Sequence, residues 1–240
     1  VTGAFLNAIG ILIGAVFGLT LRQPLSIRTQ VFFRSALGAL TVFIGFRLVW
    51  LSVNGTFSVC LKQLFIAALA VLLGNWLGRL LRLQKISNRI GRFAGHRITA
   101  AQAGKPVQLA DGFNSCALLF CAGPLGLLGA VTDGLSGYFY LLAIKAVMDG
   151  LAMTGLVKTF NWFSALSAFP VFAFLGAVTF VCHVHALPWL ERHGLIDSVN
   201  LTAGLITGAV ALVVFEVRKV ELANYLPALA LAPLLSRLIG

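Results

Sequence analysis

The sequence predicts an all-α, polytopic transmembrane helix bundle of about eight spans, and three observations carry that reading. Hydrophobic residues make up 59% of the 240 residues and charged residues only 10%, against about 25% charged in soluble domains. Mean hydropathy is +0.96, more apolar character than a soluble core of this length can hide. The apolar residues also fall in runs of about 20, the length a helix needs to cross a bilayer. The alternation that a β-barrel would require is missing.

The elements follow in order. The first run, 3–21, carries Asn7 and a ladder of Gly10, Gly14 and Gly18. Its length and the lack of a small-residue cleavage site make it a span rather than a signal peptide. The second, 31–51, encloses Arg47, expected to snorkel to the surface. The third, 64–81, holds Gly74, Asn75 and Gly78. From Arg79 to Arg97 the spacing predicts a helix continuing span three. Leu83, Ile86, Ile90 and Phe93 form its apolar stripe, and Arg82, Lys85, Arg89 and Arg92 a basic one. Such a helix suits the headgroup layer, and 100–111 reads as a polar linker. The fourth run, 113–131, carries Asn114 and is broken by Gly123-Pro124 and Gly126. The fifth, 138–157, contains Lys145 and Asp149. The sixth, 162–185, carries Ser164, Ser167 and Pro170 and ends in His183 and His185. The seventh, 199–216, carries Gly204 and Gly208. The eighth, 222–239, carries Asn224, Pro227 and Pro233.

Charge orients the array. Of the eighteen Lys and Arg, seven lie between Arg79 and Lys105. Arg22, Arg28 and Arg34 follow span one, Lys158 follows span five, and Arg218-Lys219 follow span seven. The loop after span two holds only Lys62, and the one before span seven balances Glu191 and Asp197 with Arg192. The basic loops therefore share one side, the cytoplasmic side, where anionic lipid is the expected partner; both termini fall outside. The net charge of +11 is thus a membrane signal, and no basic-aromatic module points to nucleic acid.

The spans suggest a single membrane domain, 1–240, in four parts. These are a three-span group (1–82), the basic helix and linker (83–112), a central broken helix pair (113–157) and a second three-span group (162–240). The two three-span groups cross in opposite senses, as inverted repeats do. Leu37-Gly38-Ala39-Leu40-Thr41 resembles Ala203-Gly204-Leu205-Ile206-Thr207 locally.

Lys145 and Asp149 are the central candidates. Each ionisable group costs roughly 2.5–3.5 kcal/mol at mid-membrane on insertion scales, and four residues put both on one helix face. Either they pair to permit insertion, or Asp149 binds a proton or cation while Lys145 sets its charge state. Asn7, Asn75, Asn114, Asn224, Ser164 and Ser167 either hydrogen-bond between helices or line a polar route. Gly123 and Pro124 either kink the fourth span or open a cavity there, and Asp133 completes the candidate pathway. The small-xxx-small ladders read as helix packing and also offer a homodimer contact. Cys60, Cys116, Cys121 and Cys182 lack a CxxC spacing and read as apolar packers; the two histidines read as a helix end rather than a metal site. No HExxH, GxSxG or phosphate-binding loop is present. Ser164, Ser167 and Cys121 are the available nucleophiles, none within a motif, so neither an enzyme nor a cofactor is expected.

Several segments together resemble the bacterial domain-of-unknown-function 554 membrane proteins over nearly the whole chain. They are Gly3 to Asn7 with the ladder to Gly18, Gly74 to Gly78, Phe120 to Gly129, and an Asp133-Gly134 turn with Ser136-Gly137. Lys145 to Gly150 and Ala223 to Leu229 complete the set. Two positions depart from the pattern: Arg47 lies in span two, and Ala146 stands where a serine is more usual. The resemblance implies a bacterial inner-membrane protein and carries no settled activity. From the residues, the expected function is a secondary transporter or channel-like carrier of a small solute or cation. The alternative is a non-transporting scaffold or lipid-binding protein.

Overall fold

A computed structural model of the chain describes residues 1–21, 23, 26–103, 109–218 and 220–239. Arg22, Lys105 and Lys219 of the expected basic loops, with part of the 100–111 linker, lie outside them. Among the described residues seven helices are long and apolar enough to cross a membrane, or eight if one bent pair counts as a span. They are α1 (Thr2–Thr20), α2 (Ile27–Ser52), α3 (Phe57–Leu80), the pair α5 (Leu109–Cys121) and α6 (Pro124–Ser136), and α7 (Tyr140–Phe160). The stretch around α8 (Ala168–Val181) and α9 (Leu187–Arg192) is the next, then α10 (Ile196–Val214) and Leu222–Ile239, which ends in α11 (Ala228–Ile239). The amphipathic α4 (Leu83–Gln102) lies between α3 and α5.

The chain divides into two compact units, each discontinuous in sequence. The first comprises Val1–Ile27, Lys85–Asp133 and Phe139–Phe180. Its core joins Ile11 and Ala15 of α1 to Phe120, Leu142, Met153, Val157 and Leu175. The glycine ladder of α1 seats directly on α7. A Cβ at Gly10, Gly14 or Gly18 would strike the backbone of Ala146, Gly150 or Thr154 respectively. Each pair steps four residues along both helices, so the two run parallel, with backbones close enough for dispersion to hold them. Parallel packing fits the bent pair as one crossing: α2 and α3 return the chain to the side where α1 ends, and one more traverse is needed before α7 can follow α1's direction.

The second unit comprises Arg28–Gln84, Gly134–Tyr138 and Val181–Gly240. Here Gly45 of α2 faces Gly204 and Thr207 of α10, while Gly74 and Gly78 of α3 face Ala228 and Asn224. Both pairings are antiparallel. The ladders of α1 and α3, and Gly204 of α10, are thus occupied within the chain, whereas a Cβ at Gly208 would meet nothing within 4 Å. The matched segments of α2 and α10 share a local device: the Thr41 and Thr207 hydroxyls each donate to the carbonyl four residues earlier, at 2.7 Å. The units cut across the 1–82 and 162–240 groups, since span one clusters with spans five and six, and spans two and three with seven and eight.

Outward faces are apolar. Phe5, Val16 and Phe17 of α1, Phe43, Phe46 and Trp50 of α2, and Phe65, Leu72 and Trp76 of α3 are all more than half exposed. Hydrocarbon is the solvent that makes such a surface stable.

Several expectations are corrected. α3 begins at Phe57, so Lys62 lies in the helix rather than in a loop; Phe57, Val59 and Leu61 extend the apolar character backwards. The helix does not run on from span three. It stops at Leu81-Arg82, where Arg82 has φ 57. That turn is held by bonds the local pattern cannot reveal: the Gln84 amide donates to Asn224 Oδ1 and the Ala223 amide to Gln84 Oε1, both 3.1 Å. Of α4's apolar stripe, Ile86 and Phe93 are exposed, on the side that also exposes Lys85, Arg89 and Arg92. The turn expected at Asp133-Gly134 comes at Gly137, φ 67, because α6 runs through to Ser136. Span six is not one regular helix. Trp162–Ser167 is 3-10, Pro170 falls in the first turn of α8 where no amide is needed, and Cys182–Ala186 is a π-helical turn.

Candidate functional site

The site belongs to the first unit and is built on α7. More than half of α7's most apolar window is buried, 56% against 22% for α3, so α7 is a central helix. Its two mid-helix ionisable residues are enclosed, Lys145 at 4% and Asp149 at 9% exposure, while Lys158 in its last turn is exposed. Their i, i+4 spacing forms a salt bridge between Lys145 Nζ and Asp149 Oδ2. The same oxygen accepts from Asn7 Nδ2 of α1 at 3.1 Å. Parallel seating of α1 on α7 brings these residues together, and the ladder glycines allow the approach.

The broken helix supplies the other wall. A Cβ on Gly126 would lie 2.8 Å from Lys145 Cε, so the lysine stem occupies the space that this glycine leaves. The ammonium stands 5.8 Å from the Phe120 ring centroid, within cation–π range. Between α5 and α6 the chain bends by 60°. The break is tied from outside by Ser87 of α4, whose hydroxyl donates to the Ala122 carbonyl at 3.2 Å. A helix end leaves its last carbonyls without intrahelical donors, and a Cβ built at Gly123, just past the end of α5, would lie 4.0 Å from Lys145 Cε.

Not every polar group is matched. Asn7 is fully buried, yet its Oδ1 has no hydrogen-bond partner, and the same holds for Oγ of Ser115, Oγ of Ser167 and Oγ1 of Thr179. A buried polar atom left dry costs about 1–3 kcal/mol. Four such atoms lie in the first unit among the described residues.

The remaining candidates sort clearly. Asp133 lies at the end of α6, where its Oδ2 accepts the Gly3 amide at 3.0 Å. That carboxylate caps the first turn of α1, a structural placement. Ser164 donates to the Asn161 carbonyl at 2.8 Å. Asn114 is exposed and makes no part of the interior, because the start of α5 turns it away while burying Ser115. Asn75 and Asn224 belong to the second unit. Asn224 clamps the α3–α4 turn and donates to Glu221 Oε2 at 2.7 Å; Asn75 Oδ1 is buried without a partner. Two members escaped sequence reasoning, Phe120 and Gly126. Their signal was position, both flanking the Gly123-Pro124 break. No group of three metal-ligating side chains occurs among the described residues.

Multiple apolar helices and a buried ion pair against a helix break define a multi-pass helical membrane protein. Residues 2–237 match the family described as "Protein of unknown function (DUF554)", and the chain belongs to that family. A relative in Bacillus subtilis (strain 168), "Uncharacterized membrane protein YdfK", is 24% identical over 234 residues, covering 96% of this chain and 93% of the relative. Another, "Uncharacterized protein YqgA" of Escherichia coli (strain K12), is 27% identical over 238 residues, covering 98% and 96%. No solved structure matches.

Proposed function

We propose that this protein is a secondary transporter or channel-like carrier of a small solute or cation in the bacterial cytoplasmic membrane. One observation carries the reading: a single carboxylate oxygen, Asp149 Oδ2, is shared between the Lys145 ammonium and the Asn7 amide beside a helix break. A buried folding pair needs additional donors as well, so it is the break beside the pair that favours the carrier. The shared arrangement leaves Asp149 a neutral partner, Asn7, when Lys145 withdraws. Lys145 in turn has the Phe120 face and the terminal carbonyls of α5 to receive it. Entry of a proton or cation at Asp149 would displace the ammonium toward the break, and its return would expel the cargo. Asn7 Oδ1 offers a second oxygen to that cargo.

The test uses purified protein in liposomes with an internal pH dye and imposed gradients of sodium, potassium or methylammonium. Flux that Asp149→Asn abolishes in a folded protein supports the carrier. Flux equal to that of the unaltered protein removes Asp149 from the mechanism.

A second reading, a lipid-binding scaffold, rests on α4. Its exposed side mixes Ile86 and Phe93 with Lys85, Arg89 and Arg92, a face suited to anionic headgroups above acyl chains. The two readings are compatible, since Ser87 ties the same helix to the break.

A further inference from the structure

We propose a second cation site, at the end of the second unit where α2 and α11 finish and α3 and α10 begin. A cavity of about 80 Å³ opens there among Ser52, Gln63, Asp197, Ser198 and Ser236, over an apolar floor that includes Ile66. Four elements converge on it: the end of α2, the start of α3, the first turn of α10 and the last turns of α11. Arg34, Arg79 and Arg218 lie near the other ends of α2, α3 and α10, while Lys62, Arg192 and Arg237 adjoin the cavity end in sequence without lining it. By the positive-inside rule the cavity faces the extracytoplasmic side.

Its lining offers oxygen donors. The lining residues carry one carboxylate, Asp197, and no lysine or arginine. The hydroxyl protons are already committed: Ser52 donates to the Leu48 carbonyl at 2.8 Å and Ser198 to the Leu195 carbonyl at 2.7 Å. Each serine therefore presents lone pairs to the cavity. Gln63 is held in place by reciprocal 3.2 Å bonds with the Asn54 backbone. Asn54 also donates to Asp197 Oδ2 at 3.3 Å, which fixes the carboxylate at the rim. Fixed hard oxygens around a space large enough for an ion and a few waters suit a monovalent cation or a small primary ammonium. The cavity would gather that cation from outside, a role independent of Asp149.

The test measures thermal stability of the full chain in nanodiscs against sodium, potassium and methylammonium chloride, with N-methylglucamine chloride as the ionic-strength control. The inference expects saturable stabilisation by at least one small cation. Asp197→Asn should weaken its apparent affinity about tenfold or more, and Asp197→Glu should restore part of it. If Asp197→Asn does not fold, the Ser198→Ala/Ser236→Ala pair is read instead and should weaken affinity by at least about threefold. Stabilisation no greater than the control's, stabilisation that follows the anion, or an affinity indifferent to these variants would overturn the site.

Discussion

Replacing Lys145 by Met should damage this protein more than replacing Asp149 by Asn. Both residues are nearly enclosed, at 4% and 9% exposure. Lys145→Met leaves a buried carboxylate supported only by the Asn7 amide. Breaking a buried pair in this way costs about 3–5 kcal/mol. At about 2–4 °C per kcal/mol for a chain of this size, the melting point should fall by roughly 6–20 °C. Asp149→Asn leaves an ammonium that still has the Phe120 ring, a contact worth about 2 kcal/mol when desolvated, so its loss should be smaller. The double variant Lys145→Met/Asp149→Leu removes both charges and should recover most of the stability, since apolar replacements of buried pairs are often neutral. Melting in detergent measures all three, and liposome flux measures what stability cannot. The reasoning predicts a stable double variant without flux. A double variant that is stable and transports normally would reduce the pair to a folding device, and singles that melt within 1–2 °C of the parent would refute the burial itself.

Three further outcomes are expected. Gly150→Ala places a Cβ 2.6 Å from the Gly10 carbonyl oxygen and should cost about 1–3 kcal/mol by overpacking. Gly208→Ala meets nothing within 4 Å and should be neutral or stabilising by up to about 1 kcal/mol; equal effects in a melting assay would contradict the ladder geometry. Changing Lys85, Arg89 and Arg92 together to Gln should weaken attraction to anionic lipid by roughly 1 kcal/mol per charge, read as fewer phosphatidylglycerol molecules retained in native mass spectrometry. Reporter fusions should place both termini on the same, extracytoplasmic side, and opposite sides would show that the α5–α6 pair does not cross.

The helix content was legible because each span carries its own signal, a run of apolar residues as long as the bilayer is thick. The break at Gly123-Pro124 was legible for the same local reason, and so was the Lys145–Asp149 pair, which one helical turn brings together. Failures came where a distant partner decides. Nothing near Arg82 announces a turn, because Gln84 and Asn224, 140 residues apart, impose it. Asn114 and Ser115 are adjacent and equally polar, and only packing shows that Ser115 is inside. Asn7 could be recognised as a polar residue in an apolar span, but its contact with Asp149 depends on the register of α1 against α7. That register is set by glycines whose partners the sequence does not name. The Asp197 cavity escaped for a similar reason: its lining comes from four helix ends, each unremarkable alone.

Carbodiimide labelling of Asp149 tests the central claim most directly, because the reagent attacks a carboxyl that has exchanged its cationic partner for a proton. The folded protein in membranes should become modified at Asp149, as located by peptide mass spectrometry, and the transported cation should protect it. An Asp149 that stays unmodified in the folded protein at every pH tried, while reacting freely once denatured, would show the acid permanently locked to Lys145 and contradict the account.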